Sequence, residues 1–339
     1  MIRSYYRVAE HLFAVECSNS ALVRCMTNYE PFAAEGNKNP IFTLCVEEAN
    51  GERLESECYT HVMTDNAEDD MPRIEVYQAR RREGDEASGW LFRVAVVANA
   101  PICCEMECNQ DFTEGVLYIL PDCQDIRFCI DNALMLLYAF RTAPLMTLEM
   151  HAAVVVKPSL EDARGASYSL EDASLQDASL QDASLQFRGR SQSELQAKGY
   201  LFLGHSGTGK STHARQWLAA FEDAWLLNDD NPILRVMPNG EVRVYGSPWS
   251  GKTACYHNDY VPVGGIVKLS QAPHNKIQTI SLPEAYAYML SSASGLKMDP
   301  YMADYMYESI KHVITHVKCY HMECLPNTEA AVVALRGMV

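Results

Sequence analysis

Three short segments carry residue types that do phosphate chemistry. The run Gly204-His205-Ser206-Gly207-Thr208-Gly209-Lys210-Ser211 fits the spacing G-x-x-x-x-G-K-[ST] in full. Its glycines let the backbone close on phosphate oxygens and take left-handed φ where needed. The amides of Ser206, Gly207, Thr208, Gly209 and the following Thr212 are the candidate anion cradle, at the start of a helix. Lys210 is expected to neutralise the β- and γ-phosphates, and the Ser211 hydroxyl is placed to ligate Mg2+. The second segment, Leu226-Leu227-Asn228-Asp229-Asp230-Asn231, sets two adjacent carboxylates after an apolar run. One of them can face a metal while the other takes a proton from an attacking hydroxyl. The same letters also make good turn chemistry. The third, Gly246-Ser247-Pro248-Trp249-Ser250-Gly251-Lys252-Thr253, offers a flat aromatic and a cation in a loop. Lys252 is a candidate for offsetting charge that develops on a transferred phosphoryl group. Trp249 is a candidate for stacking on a base or walling off an acceptor.

These segments need a sheet to hold them. Gly199–Leu203 is apolar and enters the glycine loop, so it is predicted as a strand. Ala214, Trp217, Leu218 and Phe221 recur at helical spacing just after it. Leu148–Val156, rich in β-branched residues, reads as one more strand of the same sheet, as do Trp225–Leu227, Val242–Tyr245, Gly265–Leu269 and Tyr320–Cys324. Met302, Met306, Ile310, Val313, Ile314 and Val317 mark a further helix face. This alternation is an α/β pattern. Between two of the strands, at about 158–198, lies a five-residue repeat, S-L-[EQ]-D-A, seen at Ser159, Ser169, Ser174 and Ser179. One Leu in five lines no helix face, and the unit is too short for a solenoid. It reads as a low-complexity insertion in a loop. Residues 1–140 read as a smaller β-rich, α+β domain, with strands at Ile41–Val46, Trp90–Val97 and Val116–Leu120, a helix from Asp131 to Arg141 and a solvated acidic run at Asp65–Asp70. Residues 141–339 form the second domain.

Together the glycine loop, the Asp229-Asp230 pair and Met150-His151-Ala152-Ala153-Val154 resemble the catalytic domain of HPr serine kinase/phosphorylase, over roughly 145–335. The resemblance implies a phosphate-loop fold of the HPr kinase / phosphoenolpyruvate carboxykinase type. It implies that Asp229 is the general base on an acceptor serine, that Asp230 supports Mg2+ and the phosphates, and that His151 lies near the transferred group. A histidine satisfied within the sheet is the plainer reading of His151. The chain departs from the family where Thr212 stands in place of the usual Glu after the loop serine. The family's later docking signature is absent, and the Gly246–Thr253 loop stands instead. The resemblance is therefore closer to HPr kinase-like proteins whose acceptor is a peptide or is unassigned.

Composition bounds the rest. The chain has 339 residues, 48% of them hydrophobic, and a net charge of −16. That composition is globular, and the length suits two domains. An acidic chain is a poor binder of nucleic acid or anionic membranes. No apolar run is long enough for a membrane span and no secretory signal is visible, so a cytoplasmic protein is expected. The twelve cysteines are then reduced. Cys103, Cys104 and Cys108 lack C-x-x-C spacing and read as packing in a strand, not as a metal site.

The expectation is an ATP- and Mg2+-dependent phosphotransferase acting on a serine hydroxyl of a protein or peptide. A nucleotide-gated sensor, or a small-molecule kinase or phosphorylase on the same site, is the alternative. Homo-oligomer formation stays open.

Overall fold

The computed structural model describes residues 1–36, 39–52, 54, 58–65, 72–79, 89–157, 197–205, 207–251, 253–295 and 300–338. Ser206, Lys252, most of the Asp65–Asp70 run and the pentapeptide repeat lie outside the described residues. The protein is mixed α/β with two sheets.

The first sheet takes all its strands from the N-terminal third: β1 (Ile2–Val8), β2 (His11–Cys17), β3 (Thr43–Glu48), β4 (Tyr59–Asp65), β5 (Arg73–Ala79), β6 (Trp90–Ala95), β7 (Ile102–Cys108) and β8 (Glu114–Ile119). Their order is β1-β2-β3-β8-β7-β6-β5-β4. A short helix α1 (Ser20–Arg24) follows β2. The longer α2 (Ile126–Thr142) buries Cys129, Ile130, Ala133, Leu134 and Leu137. Asp125 caps it by accepting from Phe128 N at 2.9 Å, the usual use of a short acidic side chain at this position.

The second sheet is built from β9 (Thr147–Glu149), β10 (Ala152–Lys157), β11 (Lys198–Leu203), β12 (Trp225–Asn228), β13 (Ile233–Val236), β14 (Val242–Tyr245), β15 (Tyr260–Gln271), β16 (Lys276–Thr279) and β17 (Cys319–Cys324). β15 is long enough to serve two groups of strands. Its first residues pair antiparallel with β14, and its later ones pair parallel with β11 and β17. The helices here are α3 (Lys210–Ala220), α4 (Leu282–Ser292), α5 (Pro300–His316) and α6 (Thr328–Met338).

Alternation along β10 and β11 divides the core between the sheet's two faces. Ala153, Val155, Tyr200 and Phe202 pack with Trp217 and Phe221 of the α3 segment and with Ala330, Ala334 and Leu335 of α6. Val154, Val156, Leu201 and Leu203 enter the larger cluster, which also takes in α2, Phe13 and Phe92 of the first sheet and Phe42 just before β3. Full burial of a side chain such as Phe202 contributes about 1.5–3 kcal/mol, so both faces are needed to hold these strands.

One correction concerns Leu148–Val156, expected as a single strand. It is two, and they have different partners. β9 pairs with β13, while β10 pairs with β11 and β12. At the break, Met150 N donates to Pro232 O and His151 N to Ser292 O. These contacts satisfy the backbone outside the ladder and turn His151 out of it. β10 and β11 run antiparallel in register from Ala152↔Leu203 to Lys157↔Lys198, so the two ends of the connection between them lie opposite each other.

Candidate functional site

Antiparallel pairing decides what meets at the sheet edge. β11 ends at Leu203 opposite Ala152, where β10 begins. β12 also runs antiparallel to β10, and Asn228 at its end pairs with Val154. The glycine loop after β11, His151 before β10 and the acidic pair after β12 therefore emerge along one edge. Ala152 N donates to Asp230 O at 2.9 Å, tying two of these segments directly.

The glycine loop turns into α3 through two left-handed glycines, Gly207 at φ 74° and Gly209 at φ 105°. A side chain is rarely tolerated in that conformation, which is why glycine stands there. Thr208 Oγ1 donates to His205 O at 2.7 Å, and Lys210 Nζ donates to Gly204 O at 2.9 Å and His205 O at 3.3 Å. The ammonium is thus held across the loop by the loop's own carbonyls. Ser211 and Thr212 follow in the first turn of α3, both half-buried. His213 is structural. It accepts from Trp217 Nε1 at 3.1 Å, and burial pushes its imidazole down to about pH 4, so it stays neutral at physiological pH.

The acidic pair is asymmetric. Asp229 is 4% exposed, and its Oδ2 has no hydrogen-bond partner among the described residues. The Asp230 side chain is one-third exposed, with Oδ1 3.4 Å from His151 Nε2. Burial raises the Asp230 carboxyl above the usual range; Lys210 draws it down and Asp229 pushes it up. A hard-oxygen set of two carboxylates and the Ser211 hydroxyl suits Mg2+ by its chemistry. The orphaned, buried Asp229 Oδ2 is the observation that fits a cation or a proton donor arriving with substrate, because an unmatched buried carboxylate oxygen is costly.

The structure adds residues that the sequence reading passed over. Asn228 is fully buried. Its Nδ2 donates to Ser247 Oγ at 3.1 Å and Trp249 O at 3.0 Å, while its Oδ1 accepts from Asp230 N at 2.9 Å. Ser247 Oγ in turn donates to Asn231 O at 2.6 Å. These bonds fasten the Gly246–Thr253 loop against the acidic pair. A Cβ on Gly251 would sit 3.3 Å from Asp230 Cβ, which sets how close the two loops come. Lys252, the next residue, is outside the described set. Glu149, two residues before His151, is fully buried with both carboxylate oxygens unpaired among the described residues. Burial, and then the nearby Asp230, push its carboxyl well above the ordinary range. The signal for Asn228 lay in its place beside the aspartates. Glu149 gave none.

Trp249 is placed differently from its sequence reading. It is 2% exposed, its Nε1 donates to Tyr29 Oη at 2.8 Å, and its ring meets Tyr138 edge-on at 5.3 Å. Its indole packs against residues of the N-terminal part and offers no open face to a base. Tyr29 Oη donates onward to Asp131 at 2.7 Å, and Asn28 Nδ2 donates to Pro248 O at 3.0 Å.

No helix among the described residues is long and apolar enough to cross a membrane. The chain matches no family model and no curated protein.

Proposed function

We propose that the chain is an ATP- and Mg2+-dependent phosphotransferase of the HPr kinase-like kind, with a phosphate-loop fold, working in the cytoplasm on a serine hydroxyl of a protein or peptide. The observation that carries this reading is the meeting of the glycine loop, His151 and Asp229-Asp230 at one sheet edge. Amides of the glycine loop and the α3 N-terminus bind the phosphates, and Lys210 exchanges its carbonyl contacts for phosphate oxygens. Ser211 and Asp230 would hold Mg2+, which would neutralise charge on the phosphates. Asp229 takes the proton of the acceptor hydroxyl. The hydroxyl oxygen bonds to the γ-phosphorus, the bond to the β–γ bridging oxygen breaks, and ADP leaves with that electron pair. His151, 3.4 Å from Asp230, orients its carboxylate. Catalysis of this kind is mostly positioning and electrostatics.

A second reading has its own support. The buried chain from Trp249 through Tyr29 to Asp131 joins the loop beside the acidic pair to the first 140 residues. Nucleotide occupancy could then bias the N-terminal part without chemistry, as in a sensor. One experiment separates the two readings. γ-labelled ATP, Mg2+ and a lysate or peptide library are supplied to the protein, to Lys210→Ala and to Asp229→Asn. Label on one acceptor, lost in both variants while Asp229→Asn still binds ATP, supports the kinase. Binding with no labelled acceptor, and no dependence on Asp229, refutes it.

A further inference from the structure

Four cysteines that are scattered in sequence come together between the first sheet and α2. In β7 the register against β6 slips: Val94 pairs with Cys104 and Ala95 with Ile102, leaving Cys103 as an extra residue. Successive strand residues normally point to opposite faces, and a bulge re-aims one of them. Cys103 and Cys104 are consequently both buried, at 7% and 1% exposure. Facing them is Cys129, in the first turns of α2 and fully buried. The sulfurs of Cys103, Cys104 and Cys129 all lie within 4.8 Å of one another, with Cys103 to Cys129 at 3.6 Å. Cys123, in the turn before α2 and half-buried, places its sulfur 3.4 Å from that of Cys129. All four are free thiols.

We propose that Cys103, Cys104 and Cys129 are the preformed ligands of a mononuclear thiolate metal site that clamps β7 to the start of α2, with Zn2+ as its ion and Cys123, which already touches Cys129, turning in as the fourth ligand when the ion binds. Zinc–sulfur bonds of about 2.3 Å in a tetrahedron set the sulfurs roughly 3.8 Å apart. The two contacts made by Cys129, 3.4 Å to Cys123 and 3.6 Å to Cys103, are close to that spacing and far beyond the disulfide length of about 2.05 Å, whereas Cys123 stands outside the trio whose sulfurs are mutually within 4.8 Å and must close on the ion. The Cys129 contacts are also too close for thiolates on separate irons of a [4Fe–4S] cube, which takes one cysteine per iron. Thiolate ligands select soft or borderline ions over Mg2+ or Ca2+. A bulged strand and a turn leading into a helix supply the ligands, and the helix N-terminus favours thiolate charge. Three of the ligands are deeply buried, and the half-buried Cys123 gives the ion a way in. Chain spacing hides the site because its two halves, a Cys-Cys pair and a C-x5-C pair, are joined only by the fold. Binding forms four S–Zn bonds and sends four thiol protons to solvent, leaving the centre at charge −2.

The full chain is purified under reducing conditions, and its zinc is measured by mass spectrometry. The metal is then removed and Co2+ is added as a spectroscopic probe. One zinc per chain, proton release on reloading, and the thiolate-to-cobalt charge-transfer and tetrahedral d–d bands are the expected results. Cys129→Ser should abolish binding. Cys123→Ser, at the half-buried position, keeps the test valid if Cys129→Ser does not fold. Losing that thiolate should weaken zinc binding by more than the about 10–100-fold typical of outer-shell changes. Three outcomes overturn the proposal: a folded protein that takes up no zinc, a Cys123–Cys129 disulfide under the same conditions, or equal zinc in the Cys123→Ser protein.

Discussion

Replacing Asn228 with Ala unties two loops at once. The variant loses the bonds to Ser247 Oγ, Trp249 O and Asp230 N. A neutral hydrogen bond is worth about 1 kcal/mol net, so three give about 3 kcal/mol. Ser247 keeps Asn231 and the Trp249 amide as partners, but Asp230 N loses this acceptor, which raises the expected loss to about 3–5 kcal/mol. Urea unfolding of the two proteins side by side measures it. Asn228→Asp is the informative companion. It keeps the acceptor for Asp230 N, loses both donations and adds a third carboxylate beside Asp229 and Asp230. Its deficit should therefore shrink as pH falls, when a protonated carboxyl recovers one donor. If Asn228→Ala costs less than about 1 kcal/mol, the two loops are not held by this side chain, and the account of the site's rigidity fails.

Other outcomes follow from single contacts. Lys210→Ala should weaken nucleotide binding at least tenfold, or about 1.4 kcal/mol, by calorimetry; unchanged affinity would remove the glycine loop from the phosphate site. Burial holds the Glu149 proton on the folded chain to a higher pH than on the unfolded one. Wild-type stability should then fall as pH rises above the unfolded carboxyl value of about 4.3, by up to about 1.36 kcal/mol per pH unit. Glu149→Gln should flatten that slope, and parallel stability–pH curves would refute the assignment. Gly246→Ala would put a methyl 2.0 Å from His257 O; because the obstacle is backbone, a loss at or above the about 1–3 kcal/mol of ordinary overpacking is expected in thermal unfolding. Trp249→Phe deletes the donation to Tyr29 and should cost about 1 kcal/mol or more, with a proteolysis assay reporting looser attachment of the first 140 residues.

Local chemistry was legible and distant chemistry was not. The glycine loop, the strand before it and the helix after it stand in one stretch of sequence, and the structure places β11 and α3 there. The adjacent aspartates were readable because both carboxylates sit in one short motif after β12. Glu149 and Ser247 were not, because burial and partners from other strands give them their character. Trp249 shows the same limit from the other side: an aromatic in a Gly-Pro loop looks exposed until Tyr29 and Tyr138 close over it. The break at Met150-His151 was hidden because Leu148–Val156 is apolar throughout, and only the exchange of partners from β13 to β11 and β12 reveals it.

The register of β10 and β11 also bears on how this gene can drift. Lys157 and Lys198 face each other across the ladder, so the chain leaves and re-enters the sheet at one place whatever lies between. Loop-closure entropy grows only with the logarithm of length, so for any flexible connection of about forty residues five more cost about 0.1 kcal/mol. Replication slippage in a short repeat adds and deletes copies in frame. A change in copy number leaves both anchoring residues, Lys157 and Lys198, in the same ladder pair.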